Sequence, residues 1–235
     1  MYKTTLLGIV LIDTNTLMTG SFITLFILII VGFVFFNKFP QEKYFKYFAL
    51  FSLFFLTGEL LRTFRVVIPD LFSVVIANTL MTSGIIFLYI GVRSMLNLES
   101  QWHTRYYIPI AVVLFGFILF TYVHYNITMR ILIFSAFSII YASSISWIFF
   151  KNATKEFKMF DYFSSLLFLV GIIIFLVRTL KASMIEINVN YPKSTDLLNT
   201  FIYSYLFFMS FWLSIILIIR AMCLPNNKNS INLEK

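Results

Sequence analysis

Glu59 and Arg62 stand three residues apart inside a long apolar stretch. On a helix that spacing puts both side chains on one face, where carboxylate and guanidinium can pair. Ionisable groups in such surroundings are expensive and mark functional sites by default. Further polar residues interrupt other apolar stretches: Asn78, Arg130, Arg178, and Asn199 with Tyr203 near the start of the last one. If successive stretches cross a membrane in alternating directions, all seven fall in one half of the bundle, where they could line a pocket. Three arginines against one glutamate would suit a small anionic or strongly polar ligand. The competing reading is that each arginine snorkels to lipid headgroups while Glu59 neutralises Arg62.

Nothing in the sequence argues for catalysis, and no catalytic residue, metal ligand or cofactor is expected. His103 and His124 fall toward opposite membrane faces, and no His-x-x-x-His spacing occurs. The eight glycines are never adjacent and form no phosphate-binding loop. No nucleophile elbow supports a Ser-His-Asp set. One cysteine, Cys223, excludes an intramolecular disulfide. Asn126-Ile127-Thr128 matches the glycosylation pattern but sits in a tight turn, where the match is incidental.

The elements that must position these residues are membrane helices. Of the 235 residues, 60% are hydrophobic and only 12% charged, with mean hydropathy +0.90. A soluble domain carries about 25% charged residues. Seven stretches approach the roughly 20 residues that cross about 30 Å of hydrocarbon: Leu17–Phe36, Tyr44–Arg62, Leu71–Val92, Tyr106–Tyr122, Ile127–Phe150, Phe160–Leu180 and Leu198–Met222. Only His124-Tyr125-Asn126 separates the fourth from the fifth. The runs are continuously apolar rather than alternating, which favours an all-α polytopic bundle of seven transmembrane helices over a barrel. The expected organisation is a short extracytoplasmic segment (1–16), a membrane domain (17–222) and a short cytoplasmic tail (223–235). Asp13 interrupts the first short apolar run, so a cleaved signal peptide is not expected.

Basic residues set the expected orientation. With the N-terminus outside, 11 of the 18 lysines and arginines lie at inner ends and loops, among them Lys38, Lys43, Arg93, Lys151 and Arg220. The other seven lie outside, with Arg62, Arg65, Arg130 and Arg178 at span ends. The C-terminus is then cytoplasmic, in a cell inner membrane. The net charge of +8 is read as anchoring to the lipid bilayer, with no nucleic acid as partner. Tyr44, Tyr47, Trp102, Tyr106, Tyr107 and Trp147 are expected at the inner interface, Tyr122 and Tyr125 at the outer. Small and hydroxyl residues form packing stripes: Ser164 and Gly171 with Asp161 and Phe168 beside them, Ser135, Ser138, Ala142 and Ser146, then Ser210 and Ser214 below Tyr203.

The layout from Leu11 to Met222 resembles the seven-helix membrane sensor region found N-terminal to bacterial GGDEF-type diguanylate cyclases. The resemblance rests on Leu11-Ile12-Asp13-Thr14, Gly58-Glu59-Leu60-Leu61-Arg62 and the run from Ile68-Pro69-Asp70 to Asn78. Gly91-Val92-Arg93 and Arg130-Ile131-Leu132-Ile133-Phe134-Ser135 continue it. It implies sensing of an outside or in-membrane signal, with Arg62, Asn78, Arg130 and Arg178 as matching polar positions, and a homodimer because such cyclases work as dimers. The sequence carries no GGDEF motif, and Leu224-Pro225-Asn226-Asn227 breaks the last helix. The resemblance therefore implies a sensor region that acts on a separate signalling partner, or a gene remnant. The alternative is a small-molecule or ion transporter or channel. Pro109 and Gly116 in the fourth helix hint at one, but no central broken pair or internal repeat supports it.

Overall fold

A computed structural model describes residues 14–98, 106–184 and 197–224, and every regular element among them is a helix. In chain order these are α1 (Thr14–Lys38), α2 (Tyr44–Thr63), α3 (Leu71–Met95), α4 (Tyr107–Val123), α5 (Ile127–Lys151), α6 (Lys158–Met184) and α7 (Leu197–Cys223). The helices extend the expected spans by a few residues at most ends, because the flanking Thr14, Lys38 and Lys158 continue the turns without a breaker. Six are long and apolar enough to cross a membrane, which gives the chain the build of a helical multi-pass membrane protein. The seventh, α4, has 17 residues and is shorter than the rest.

The six long helices close a ring in the order α1, α2, α3, α5, α6, α7, and α7 returns to α1. Helix α4 lies outside this ring, against the seam between α3 and α5. Its outer side is bare: Ile108, Val112, Phe115 and Val123 are all exposed. Inside the ring the core is dominated by α2 and α3, through Phe45, Phe48, Phe51, Met81, Ile86 and Ile90. In lipid the hydrophobic effect does not drive helices together, so contact area and hydrogen bonds must.

The expected packing stripes supply both. Ser135, Ser138, Ala142 and Ser146 of α5 are buried, as are Asp161, Ser164, Phe168 and Gly171 of α6. The Ser146 hydroxyl meets the Ser165 carbonyl at 3.0 Å, and the Ser165 hydroxyl meets the Ser146 carbonyl at 3.0 Å. Elsewhere Thr24 of α1 contacts Ser210 of α7 at 3.1 Å, and Trp212 donates to Ser164 at 3.0 Å. Interhelical bonds of this kind average about 0.6 kcal/mol in a membrane bundle. Replacing both Ser146 and Ser165 by alanine should therefore cost about 1 kcal/mol, measured by denaturant unfolding in micelles; an unchanged midpoint would remove this clasp.

Two expected features differ. Tyr44 and Tyr106, at the starts of α2 and α4, are buried, 4% and 5% exposed, rather than exposed as interface anchors would be. Tyr44 packs on Phe45 of its own helix, and Tyr106 faces Tyr89 of α3. Tyr107, Trp147, Tyr122 and Tyr125 are exposed as an anchor should be, while Trp102 lies outside the described residues. Pro109 falls in the first turn of α4, where a missing N–H breaks nothing. The irregular backbone is elsewhere: π-helical turns open α3 (Leu71–Ile76) and close α4 (Leu119–Val123).

Candidate functional site

The ends of α2, α4 and α6 and the beginnings of α1, α3, α5 and α7 gather at one end of the bundle. There Glu59 and Arg62 form the ion pair that their spacing allows, with Arg62 Nη2 2.7 Å and Nε 3.0 Å from the same Glu59 carboxylate oxygen. Glu59 is 4% exposed, whereas the Arg62 side chain remains 31% exposed. The guanidinium also donates to the Tyr203 hydroxyl at 2.8 Å and lies 5.8 Å from that ring. One arginine on α2 thus ties a buried carboxylate to α7. The chain approaches closely here because Gly58 sets α2 directly against the Ala77 carbonyl and Met81 of α3.

Arg178 of α6 extends the arrangement. Its guanidinium lies 5.9 Å from the Phe134 ring of α5 and acts electrostatically on the Tyr203 hydroxyl. Asn199 is half-buried on α7, one turn before Tyr203. Asn78 does not join: its amide is taken up by the Val74 carbonyl of its own helix at 2.6 Å. Arg130 turns instead toward α4 and the connection that follows it. It is 4% exposed, 3.5 Å from the Thr121 hydroxyl and 5.0 Å from the Tyr125 ring. Of the seven expected residues, Glu59, Arg62 and Tyr203 form a bonded junction, with Arg178 and Asn199 near it. What the junction can do is exchange partners. A ligand carboxylate or phosphate could take the exposed side of Arg62, at the expense of its bonds to Glu59 and Tyr203.

The opposite end holds a second polar cluster that the sequence reading did not single out. Asp161 of α6 is fully buried, and Arg220 Nη2 of α7 reaches its Oδ1 at 2.8 Å. Its Oδ2 accepts from the Thr154 backbone N–H at 3.0 Å and from the Thr154 hydroxyl at 3.3 Å. Arg220 Nη1 donates to the Met95 carbonyl at the end of α3, 3.2 Å away, and the guanidinium lies over the Phe157 ring at 4.5 Å. The signal was present: Arg220 continues a seven-residue stripe through Leu206 and Leu213, and Asp161 sits on the Phe168 face. Both charges belong to buried faces rather than to a solvated end.

Asn126 has a structural part. Its side chain accepts the Met129 N–H at 3.0 Å from an extended backbone, which is the geometry that starts a helix. Comparison of the chain with protein-family models, with curated proteins and with solved structures finds no match in any of the three.

Proposed function

We propose that this chain is a membrane-embedded regulatory module that spans the membrane seven times, N-terminus outside and C-terminus in the cytoplasm. A small polar or anionic ligand binds at the Arg62 junction, and α7 carries the change to a separate partner, in keeping with the sensor-like layout a diguanylate cyclase. The observation that carries this reading is that α7 is held by polar contacts at both ends. Tyr203 is bound to Arg62 at one end, and Arg220 is bound to Asp161 and Met95 at the other. The two anchor residues are 17 positions apart on α7, roughly 26 Å along a helix. A ligand that drew Arg62 away from Tyr203 would bias the whole rod, and a rigid helix with alternative end contacts is a recognised means of coupling distant sites.

The runner-up, a transporter or channel, is less well supported. The buried charges, Glu59, Arg130, Asp161 and Arg220, all lie toward the ends of the bundle. Between them the interior holds Phe48, Phe51, Met81, Ile86 and Leu213 beside hydroxyl residues such as Thr24, Ser146, Ser165 and Ser210 that bond to neighbouring helices. The short α4 is counted as a span because its 17 residues, with the exposed Tyr107 and Tyr122 near its ends, suit a locally thinned bilayer.

The test is intracellular cyclic di-GMP in the native host with and without the gene. A clear change is expected, restored by the wild-type gene but not by Arg62→Ala or Arg178→Ala at equal membrane abundance. Tyr203→Phe should restore it only in part, since the ring contact survives without the hydroxyl. Wild-type restoration by all three variants would remove the junction from the mechanism. No change in the nucleotide would remove the cyclase as the partner.

A further inference from the structure

Arg130 and the outer seam of α4 and α5 are not used by the function proposed above, and both are unusual. Arg130 forms no ion pair among the described residues, and its Nη2 is buried without a hydrogen-bond partner there. Among the described residues its one side-chain hydrogen bond is the long contact to Thr121. A buried guanidinium in this condition is costly, and an anion would relieve the cost. The ring of Tyr125, itself 55% exposed and placed in the short connection between α4 and α5, lies 5.0 Å from the Arg130 guanidinium.

Beneath this residue, on the lipid-facing side, runs an open apolar groove of about 450 Å³ lined by Ala111, Val112, Phe115, Gly116 and Ile133. Gly116 keeps the groove open, since a side chain there would meet the Ile133 methyl. Ile133 lies one turn beyond Arg130 on α5. The groove is thus apolar along its length, and a cation lacking a counter-charge stands near one end. Helix α4, which forms one wall, has 17 residues. That corresponds to roughly 26 Å at 1.5 Å per residue, against about 30 Å of hydrocarbon. A short helix draws the headgroup layer inward, toward the depth of Arg130, which sits in the first turn of α5.

We propose that the α4–α5 seam is a binding site for an anionic phospholipid, with an acyl chain in the groove and the phosphate on Arg130. The site is independent of the Arg62 junction. Occupation requires Tyr125 to swing aside, which exposes Nη2 to the phosphate oxygens and converts the buried unpaired donor into a charge-assisted bond. Its placement against the ring seam between α3 and α5 lets membrane composition act on bundle packing from outside the ring.

The experiment uses the full chain in mixed nanodiscs of phosphatidylglycerol and phosphatidylcholine with identical acyl chains, and reads lipids retained on release by native mass spectrometry. Wild type is expected to retain phosphatidylglycerol over phosphatidylcholine by about tenfold, as one charge-assisted bond implies. Arg130→Gln should bring that ratio close to one, and Arg130→Lys should keep part of it. Ala111→Phe fills the groove from an exposed position. It should lower phosphatidylglycerol retention with Arg130 intact, so the proposal remains testable if the arginine variants fail to fold. Equal ratios in wild type, Arg130→Gln and Ala111→Phe would overturn the site. Thermal protection by inorganic phosphate alone, equal to that by phosphatidylglycerol in lipid-free detergent, would overturn the lipid assignment and leave a soluble anion.

Discussion

Asp161→Ala should destabilise the protein by about 3–5 kcal/mol, the penalty for breaking a buried ion pair by removing one partner. The carboxylate is fully buried and receives three donors from two segments: Arg220 Nη2, the Thr154 N–H and the Thr154 hydroxyl. Alanine would leave the Arg220 guanidinium in place with Nε already lacking a partner among the described residues and Nη2 newly without one. The Met95 carbonyl and the Phe157 ring cannot balance its charge. Denaturant unfolding of the purified chain in micelles measures the loss. Asp161→Asn should cost less, since an amide oxygen still accepts from Thr154. The double variant Asp161→Leu with Arg220→Met should recover most of the stability, because an apolar pair of similar volume needs no solvation. A double variant no more stable than Asp161→Ala alone would show that the buried charges do not act as a pair.

The same residues show where the sequence was readable and where it was not. The helical segments followed from the length of the continuously apolar runs, since in hydrocarbon a helix satisfies its own backbone hydrogen bonds. Glu59 and Arg62 followed from their three-residue spacing, and the serine stripes of α5 and α6 from their periodicity. Each of these is local to one helix. The partners of Arg62 and Arg220 are not local, because Tyr203 lies 141 residues from one and Asp161 59 residues from the other. Sequence alone gives the height of such residues along their helices but not the order of helices around the ring. Asn78 and Arg130 share a level with Arg62, yet Asn78 bonds back to Val74 and Arg130 turns toward α4. Tyr106 illustrates the same limit: a tyrosine at a span end suits an exposed anchor, until a neighbouring helix supplies a ring, here Tyr89, that covers it. The π-helical turns of α3 and α4 carry no composition signal at all.

Gly58→Leu should be the most damaging single change at the α2–α3 contact, and even Gly58→Ala should cost about 1–3 kcal/mol. A Cβ on Gly58 would lie 2.6 Å from the Ala77 carbonyl oxygen and 2.6 Å from Met81 Cγ. A side-chain end can yield, but the carbonyl belongs to the backbone where the π-helical turn of α3 hands over to the α-helix, so the helices must separate. Gly116 supplies the contrast. Its added Cβ would meet only the Ile133 terminal methyl, at 2.9 Å. That methyl can rotate away, and alanine gains up to about 1 kcal/mol over glycine within a helix. Gly116→Ala should therefore be neutral or mildly stabilising in the same micelle assay that finds Gly58→Ala destabilised. The consequence at Gly58 reaches further than stability, because Glu59 is the next residue and must keep Arg62 within reach of Tyr203. On the function proposed above, a displaced α2 should also abolish the expected change in cyclic di-GMP at membrane levels that Gly116→Ala tolerates. Equal stability of the two alanine variants would mean that α2 and α3 do not approach as closely as the Arg62 junction requires.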